Sequence, residues 1–404
     1  MKQRPLADRN APFAYFWLRG GAPSPTVLEM SKPNRLNSID LIRGVVMVLM
    51  VIDHVRVYAG VPAGGPTAGV FFTRWVTHFC APVFVFFAGT AAFLHGRTLA
   101  HPGQLSTFLI TRGLLLVLLE LTLIRFSWTF NLAYSEWILA GVIWMLGWCM
   151  VVLAGLVRFR VRTLGVLGLL LIVGQYAFST VPQFMPPRFA WWWEFIYPSG
   201  FDGDGPVTVL YTLVPWIGVM AAGFAFGSIM VRDAANRRRL CLRIGLTATV
   251  AFLLLAIADV LMSPATDPWS QRIFGALSPS KYPASPMFLL MTLGPSIALL
   301  PMAERARGWL AEAFTTFGRV PMFFYLLHIP LIHVLALGVN YMREGAMHHE
   351  WYATAPYAAV PGDHQWNLGL LYLVFAVATM VLYPLCRWFR DYTASHHAGW
   401  LRFI

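Results

Sequence analysis

Long apolar stretches recur along the whole 404-residue chain, and their length limits what it can fold into. An α-helix needs about 20 apolar residues to cross the hydrocarbon core of a bilayer. Hydrophobic residues make up 58% of the chain and charged residues 12%, which excludes a soluble domain. We predict an all-α fold, a polytopic integral membrane helical bundle of about 10 transmembrane helices. The predicted spans are 38–59, 76–95, 106–126, 134–157, 162–181, 207–230, 241–262, 285–303, 316–338 and 367–389.

The basic residues indicate how this bundle is oriented. Lys and Arg outnumber Asp and Glu by 30 to 18, and most of them flank alternate predicted spans. Because short basic loops tend to stay in the cytoplasm, we predict a multi-pass protein of the cell (inner) membrane with both termini cytoplasmic. These loops account for most of the net charge of +12, so no nucleic-acid partner is expected.

The chain divides into one membrane domain and two tails. Residues 1–34 contain no span and are predicted to form a flexible cytoplasmic tail, in which Met30 could be the true start. Residues 35–392 are predicted to form the transmembrane domain, and 393–404 a cytoplasmic C-terminal tail. The four cysteines are scattered along the chain, so we expect neither a disulfide framework nor a metal site.

Ionisable side chains within the spans are the features most informative about function, because each costs roughly 2.5–3.5 kcal/mol at a helix centre. The first span places Asp40, Arg43 and His54 on one helical stripe, and Asp53 precedes His54. Arg43 and His54 lie roughly 16 Å apart along the axis, near opposite ends. Alternatively, Arg43 reaches the cytoplasmic headgroups while Asp53 and His54 simply end the helix at the outer interface.

Further polar residues lie on other spans. Glu120 and Arg125, in the third span, suit a structural pair better than a catalytic role. His78, at the start of the second span, is a candidate among the polar groups of the outer half. A single histidine in an apolar helix is more often a hydrogen-bonded core residue than a ligand, and this applies to His328. Tyr325 and His328 are three residues apart, however, and share a face that could line a cavity.

These groups suit a reaction that joins the two sides of the membrane. An anionic cytosolic donor such as an acyl-CoA would place its phosphates against Arg43 and neighbouring loop arginines. Arg43 and Asp40, at the same end of the span, are the predicted donor-binding residues. His54 and Asp53 are the candidate catalytic residues. His54 could act as general base on an acceptor hydroxyl or amine outside, or carry the acyl group transiently.

The same residues resemble a known family. Arg43 followed by ten residues and then His54 is similar to the R-x10-H motif of the transmembrane acyltransferase superfamily. The surrounding patterns resemble the branch of heparan-alpha-glucosaminide N-acetyltransferase, and the resemblance covers most of residues 35–390. The matching blocks are Ser38-Ile39-Asp40-x-x-Arg43-Gly44, Asp53-His54, Thr77-His78-Phe79-x-Ala81-Pro82 and Phe317-Gly318-Arg319-x-Pro321-x-Phe323-x-Tyr325-x-x-His328.

The resemblance implies transfer of an acetyl or other acyl group from cytosolic acyl-CoA to a glycan across the membrane. It implies donor binding by Arg43 and catalysis by His54, whereas His78 and His328 match motif positions with less settled roles. The lysosomal enzyme does not present the Asp-His pair at this point, so its glucosamine specificity is not implied.

We therefore predict an acyl-CoA-dependent acyltransferase that acts on a hydroxyl or amine of an extracytoplasmic carbohydrate. Its expected partners are membrane lipids and a glycan or other small acceptor on the outer face, and a homo-oligomer is left open. The alternative is a transporter or flippase in which the buried polar groups form a proton or solute path. A family member that has lost its chemistry and serves as a scaffold is disfavoured by the intact Arg43, His54 and His328.

Overall fold

Ten apolar helices follow the ten predicted spans in the computed structural model, which describes residues 36–65, 67–186, 189–198, 207–264 and 266–396. By length and composition alone, eight of these helices are long and apolar enough to cross a membrane. The prediction of an all-α membrane bundle is confirmed. The helices are α1 (Asn37–Tyr58), α2 (Ala68–Gly96), α3 (Pro102–Thr129), α4 (Val142–Leu156), α5 (Val161–Phe184), α6 (Leu213–Met230), α7 (Ala234–Met262), α8 (Pro286–Ala303), α9 (Pro321–Glu344) and α10 (Leu368–Ser395).

The two helices outside that set of eight are α1 and α4. Helix α1 has 22 residues, about 33 Å of helix, and it contains four charged residues, Asp40, Arg43, Asp53 and Arg56. Helix α4 has 15 residues, and it begins eight residues later than the predicted span.

A small parallel sheet explains why α4 and α6 begin later than predicted. Strand β1 (Ile138–Ala140) pairs with β2 (Val207–Val209), with Ile138 opposite Val207. Both strands are apolar, so hydropathy alone included them in the spans that follow. These residues form the sheet next to the helix starts.

Several helices contain or adjoin short irregular segments. Helix α2 has a 3₁₀ turn at Val76–Phe79, α3 has a π-turn at Glu120–Ile124, and α5 ends in the 3₁₀ segment Gln175–Phe184. The remaining short helices, which lie between the spans, are Ala190–Trp193, Trp269–Ala276, Trp309–Arg319 and the 3₁₀ turn His349–Tyr352.

Small residues let the main helix pairs pack closely. A Cβ added to Gly44 in α1 would lie 1.7 Å from Phe314 O, and one added to Gly318 would lie 1.8 Å from Asp40 O. The short helix Trp309–Arg319 is therefore in backbone contact with α1. This use of small residues is typical of helix packing in membranes, where lipid is as apolar as the side chains.

Helices α1 and α9 both carry side chains that are fully buried in the bundle. Met47 and Val55 of α1 and Ile332 of α9 have no exposed surface. By contrast α5 and α7 expose rows of apolar side chains, such as Val173 and Leu261 at 67% and 70% exposure, which suits contact with lipid. The polar residues of α1 thus lie inside the bundle.

The predicted tails are mostly beyond the described residues. Residues 1–34, with Met30, and residues 397–404 lie outside them. Helix α10 continues to Ser395, past the predicted domain boundary at 392, because its apolar and aromatic positions keep a helical spacing.

Candidate functional site

A cavity of about 280 Å³ runs inside the bundle along one face of α1. Arg43 and His54 both line it, eleven residues apart on the helix, so the cavity extends over roughly 16 Å of membrane depth. Its wall is largely apolar and is formed mainly by α1, α2, α3 and α4. The structure therefore brings the two motif residues of the first span to one cavity.

His54 is held by a second histidine at the far end of this cavity. Its Nδ1 lies 2.8 Å from Nε2 of His328, which projects from α9 and is completely buried. The Nδ1 atom of His328 lies 2.7 Å from Tyr325 O and 3.1 Å from Phe324 O. The edge of Trp128 packs against the His54 ring, with 4.8 Å between ring centroids.

These contacts fix which nitrogen carries the proton. A carbonyl oxygen can only accept, so Nδ1 of His328 is the donor to Tyr325 O, and its Nε2 is left as an acceptor. His54 must then donate from Nδ1, and its Nε2 keeps a lone pair. His54 lines the cavity. Its Nε2 is not a fully buried atom left without a hydrogen-bond partner. A base is thus presented to the cavity.

Asp53 also lines the cavity but does not orient His54. Its Oδ1 accepts from Arg56 Nε and its Oδ2 from Arg74 Nη1, each at 3.1 Å. Arg74 is itself fixed by a hydrogen bond to Thr77 Oγ1 at 2.8 Å. Asp53 was predicted from the sequence as a candidate catalytic residue beside His54, and in the structure the side chain hydrogen-bonded to His54 is that of His328.

The two residues predicted to bind the donor are separated by the structure. Arg43 lines the cavity and donates from Nη2 to Phe87 O at 2.6 Å. Asp40 does not line it, and its Oδ2 lies 4.0 Å from Arg319 Nε.

A second, wider cavity of about 1130 Å³ opens beside the N-terminal end of α1. Five arginines from several chain segments line it, and two of them are ion-paired with Glu304. These arginines are Arg237, Arg238, Arg307, Arg319 and Arg390.

Glu120 and Arg125 are both buried, but their hydrogen bonds go to different partners. Glu120 Oε2 accepts from Ile143 N at 3.1 Å and so caps the start of α4. A Cβ at Gly141 would lie 2.2 Å from Glu120 Oε1, so this glycine makes room for the cap. The predicted pair is therefore not formed.

Arg125 instead organises the chain that follows α3. Its guanidinium donates to the carbonyl oxygens of Trp137, Asn131 and Ala133 at 3.0, 2.5 and 2.7 Å. These bonds close the loop that leads to β1, which is a structural role.

His78 and Tyr325 occupy different positions relative to the cavity. Tyr325 lines it, and its ring lies 5.1 Å from that of His328. His78 is buried and does not line the cavity, and its Nδ1 has no hydrogen-bond partner among the described residues. Of the two, only Tyr325 faces the cavity.

Four further polar residues line the cavity and were not identified from the sequence. His95 and Arg112 line the same end of the cavity as Arg43, and Lys281 and Tyr211 line the same end as His54. Lys281 could have been noticed, because it is the only lysine after residue 32. Among the described residues, no group of three or more His, Cys, Asp or Glu side chains is placed to hold a metal ion.

Comparison with known proteins gives one finding. Residues 35–256, more than half of the chain, match the family model described as heparan-alpha-glucosaminide N-acetyltransferase, catalytic. The matched region begins just before α1 and includes Arg43, His54, His78, Glu120 and Arg125. No curated protein matches the chain.

Proposed function

The chain belongs to the heparan-alpha-glucosaminide N-acetyltransferase catalytic family, a family of membrane acetyltransferases, and on this basis we propose a specific reaction for it. The protein transfers an acetyl or other acyl group from cytosolic acyl-CoA to a hydroxyl or amine of an extracytoplasmic carbohydrate. The observation that carries the proposal is the single cavity that joins Arg43 to His54.

The orientation of the proposed reaction follows from the basic residues. The wide cavity beside the start of α1 is lined by arginines from segments predicted to be cytoplasmic, such as Arg237 and Arg307. This grouping supports a cytoplasmic position for the Arg43 end and an outer position for the His54 end. Both termini are then cytoplasmic, in the cell (inner) membrane.

The donor enters from the Arg43 end. Arg43 and Arg112 line that part of the narrow cavity and supply positive charge within an apolar wall. Guanidinium groups form charge-assisted hydrogen bonds to phosphate oxygens, which an acyl-CoA carries. The narrow cavity, at about 280 Å³, suits the extended thioester arm, whereas the nucleotide needs the wider arginine-lined space.

At the other end, His54 acts on the acceptor. Its Nε2 takes the proton from the acceptor hydroxyl or amine as the oxygen or nitrogen attacks the thioester carbonyl carbon. The carbon–sulfur bond breaks, the CoA thiolate leaves, and the proton held by His54 passes to the sulfur. An ester or amide and free CoA are the products.

Transfer across reconstituted vesicles tests the proposal. Vesicles receive acetyl-labelled CoA on the Arg43 side, with glucosamine and methyl glucoside as acceptor probes on the other. Wild-type protein should give labelled sugar, and His54→Ala should lower the rate by about 10² to 10⁴-fold, the usual contribution of a general base. Arg43→Ala should raise the KM for acetyl-CoA.

His349→Ala is the matched control, since His349 is exposed on an outer 3₁₀ turn. It should transfer label at the wild-type rate. Movement of sugar across the membrane with no labelled product would contradict the proposal and support the transporter, and a normal rate in His54→Ala would remove His54 from the reaction.

A further inference from the structure

A buried lysine from a distant loop lies at the His54 end of the cavity. Lys281 precedes α8 in the chain, is 9% exposed and lines the cavity together with His54 and Tyr211. Its Nζ lies 5.2 Å from the ring centroid of Tyr282 and 5.9 Å from that of Tyr211. A buried ammonium group is costly unless it has a partner, so its position calls for an explanation.

The loop that carries Lys281 is held by three other parts of the chain. Trp75 Nε1 donates to Leu277 O at 2.9 Å, and Gln175 Nε2 donates to Ala284 O at 3.0 Å. The hydroxyl groups of Tyr282 and Tyr211 are 3.4 Å apart. These bonds fix the loop before and after Lys281, so the ammonium group is presented in a set place.

The charges around Lys281 leave an excess of positive charge. Within the part of the chain that the structure describes, no carboxylate lies within 4.0 Å of its Nζ. Asp53 is the acidic side chain at this end, and both its oxygens already accept from Arg56 and Arg74. Among the residues that the structure describes, three cations therefore share this end of the cavity with one carboxylate, an excess of two positive charges.

We propose that Lys281 binds an anionic group of the acceptor, so that the carbohydrate acylated here is an acidic one. This rests on the proposed function and specifies its substrate class. The acceptor carries a carboxylate or a phosphate within about one sugar unit of the hydroxyl or amine that faces His54. The ammonium group forms a charge-assisted hydrogen bond to that anion, and the rings of Tyr211 and Tyr282 lie beside it.

The position of Lys281 separates this role from binding of the donor. Arg43 and Arg112, which suit the donor phosphates, line the same cavity, and Arg43 lies roughly 16 Å along α1 from His54. Lys281 shares its end with His54, where the acceptor must present its nucleophile. An anionic group on the acceptor would therefore lie beside the excess positive charge at the His54 end of the cavity.

The test compares acidic and neutral acceptors that differ at one carbon. Purified protein in vesicles is given labelled acetyl-CoA with methyl glucuronide or methyl glucoside, and separately with glucosamine 6-phosphate or glucosamine. For wild-type protein, kcat/KM for the preferred acidic probe should exceed that for its neutral partner by about tenfold or more, as expected for a hydrogen bond to a charged group. Lys281→Met should bring that ratio close to one, and Lys281→Arg should keep most of it.

Arg343→Met removes a positive charge from an exposed position at the end of α9 and should keep the wild-type ratio. Which acidic probe is preferred distinguishes a carboxylate from a phosphate. Equal use of acidic and neutral acceptors by wild-type protein would overturn the role of Lys281 while leaving the acyltransferase intact. An equal loss of rate with both probes in folded Lys281→Met would also overturn it, since that indicates a role in the chemical step or in structure. Absence of transfer to every acceptor would instead refute the proposed function.

Discussion

Replacement of His328 tests whether the hydrogen bond between the two histidines sets the proton position on His54. In His328→Met the side chain keeps its bulk but is a much weaker hydrogen-bond acceptor for His54 Nδ1–H than the imidazole Nε2, which lies at 2.8 Å. In His328→Gln the amide oxygen offers an acceptor again. The pair of variants therefore separates the loss of a side chain from the loss of an acceptor.

The expected size of the effect follows from the burial of this contact. His328 has no exposed surface, so water does not replace the lost acceptor at that point. An unsatisfied buried donor costs about 1–3 kcal/mol, which corresponds to about 5- to 150-fold in the population of the competent form. We expect kcat of His328→Met to fall by about 10- to 100-fold with little change in the KM for acetyl-CoA.

The assay is acetyl transfer in vesicles, combined with nitrogen NMR of protein labelled at histidine, which reports which ring nitrogen of His54 is protonated. Wild type and His328→Gln should show the proton on Nδ1, and His328→Met should show it on Nε2 in a substantial fraction of molecules. A folded His328→Met protein with kcat within twofold of wild type, or with an unchanged His54 tautomer, would refute the reasoning.

Two further predictions concern the scaffold. Glu120→Ala leaves the backbone N–H of Ile143 without its cap, so it should lower the free energy of unfolding by about 1–3 kcal/mol, measured by denaturant titration in detergent. The kcat per folded molecule should stay within twofold of wild type. A large loss of kcat in fully folded protein would instead indicate a role for Glu120 in the reaction. Gly44→Ala places a Cβ 1.7 Å from Phe314 O and should lower the free energy of unfolding by about 1–3 kcal/mol or more. In the control Gly155→Ala the new Cβ meets nothing within 4 Å, so the free energy of unfolding should stay the same or rise slightly. Equal stability of the two glycine variants would contradict the packing of α1 against Trp309–Arg319.

The sequence predicted the spans well because a membrane helix is encoded locally, by a run of apolar residues. It misplaced the starts of α4 and α6, since β1 and β2 are equally apolar and pair across about 70 residues of chain. Nothing in either segment alone reveals that pairing. The start of α9 at Pro321 could have been predicted from the neighbouring residues, since proline is favoured in the first turn of a helix.

The candidate site shows the same limit. Arg43 and His54 lie on one helix, so their shared face follows from their spacing, and the cavity does run between them. The partner of His54 depends on how α9 packs against α1, and the place of Lys281 depends on a loop held by Trp75 and Gln175. The adjacent Asp53 was the natural choice of partner from sequence alone, but side chains at neighbouring positions of a helix do not face each other.

The choice of a neutral partner for His54 suits its depth in the membrane. A carboxylate in the position of His328 would hold the same tautomer, but it would bring a full charge into an apolar bundle, at several kcal/mol after relaxation. His328 fixes the proton through a neutral hydrogen bond, and the carboxylate of Asp53 is turned toward Arg56 and Arg74. The consequence is that no negative charge contacts the imidazolium when His54 takes a proton. That proton should therefore pass readily to the sulfur that leaves in the proposed reaction.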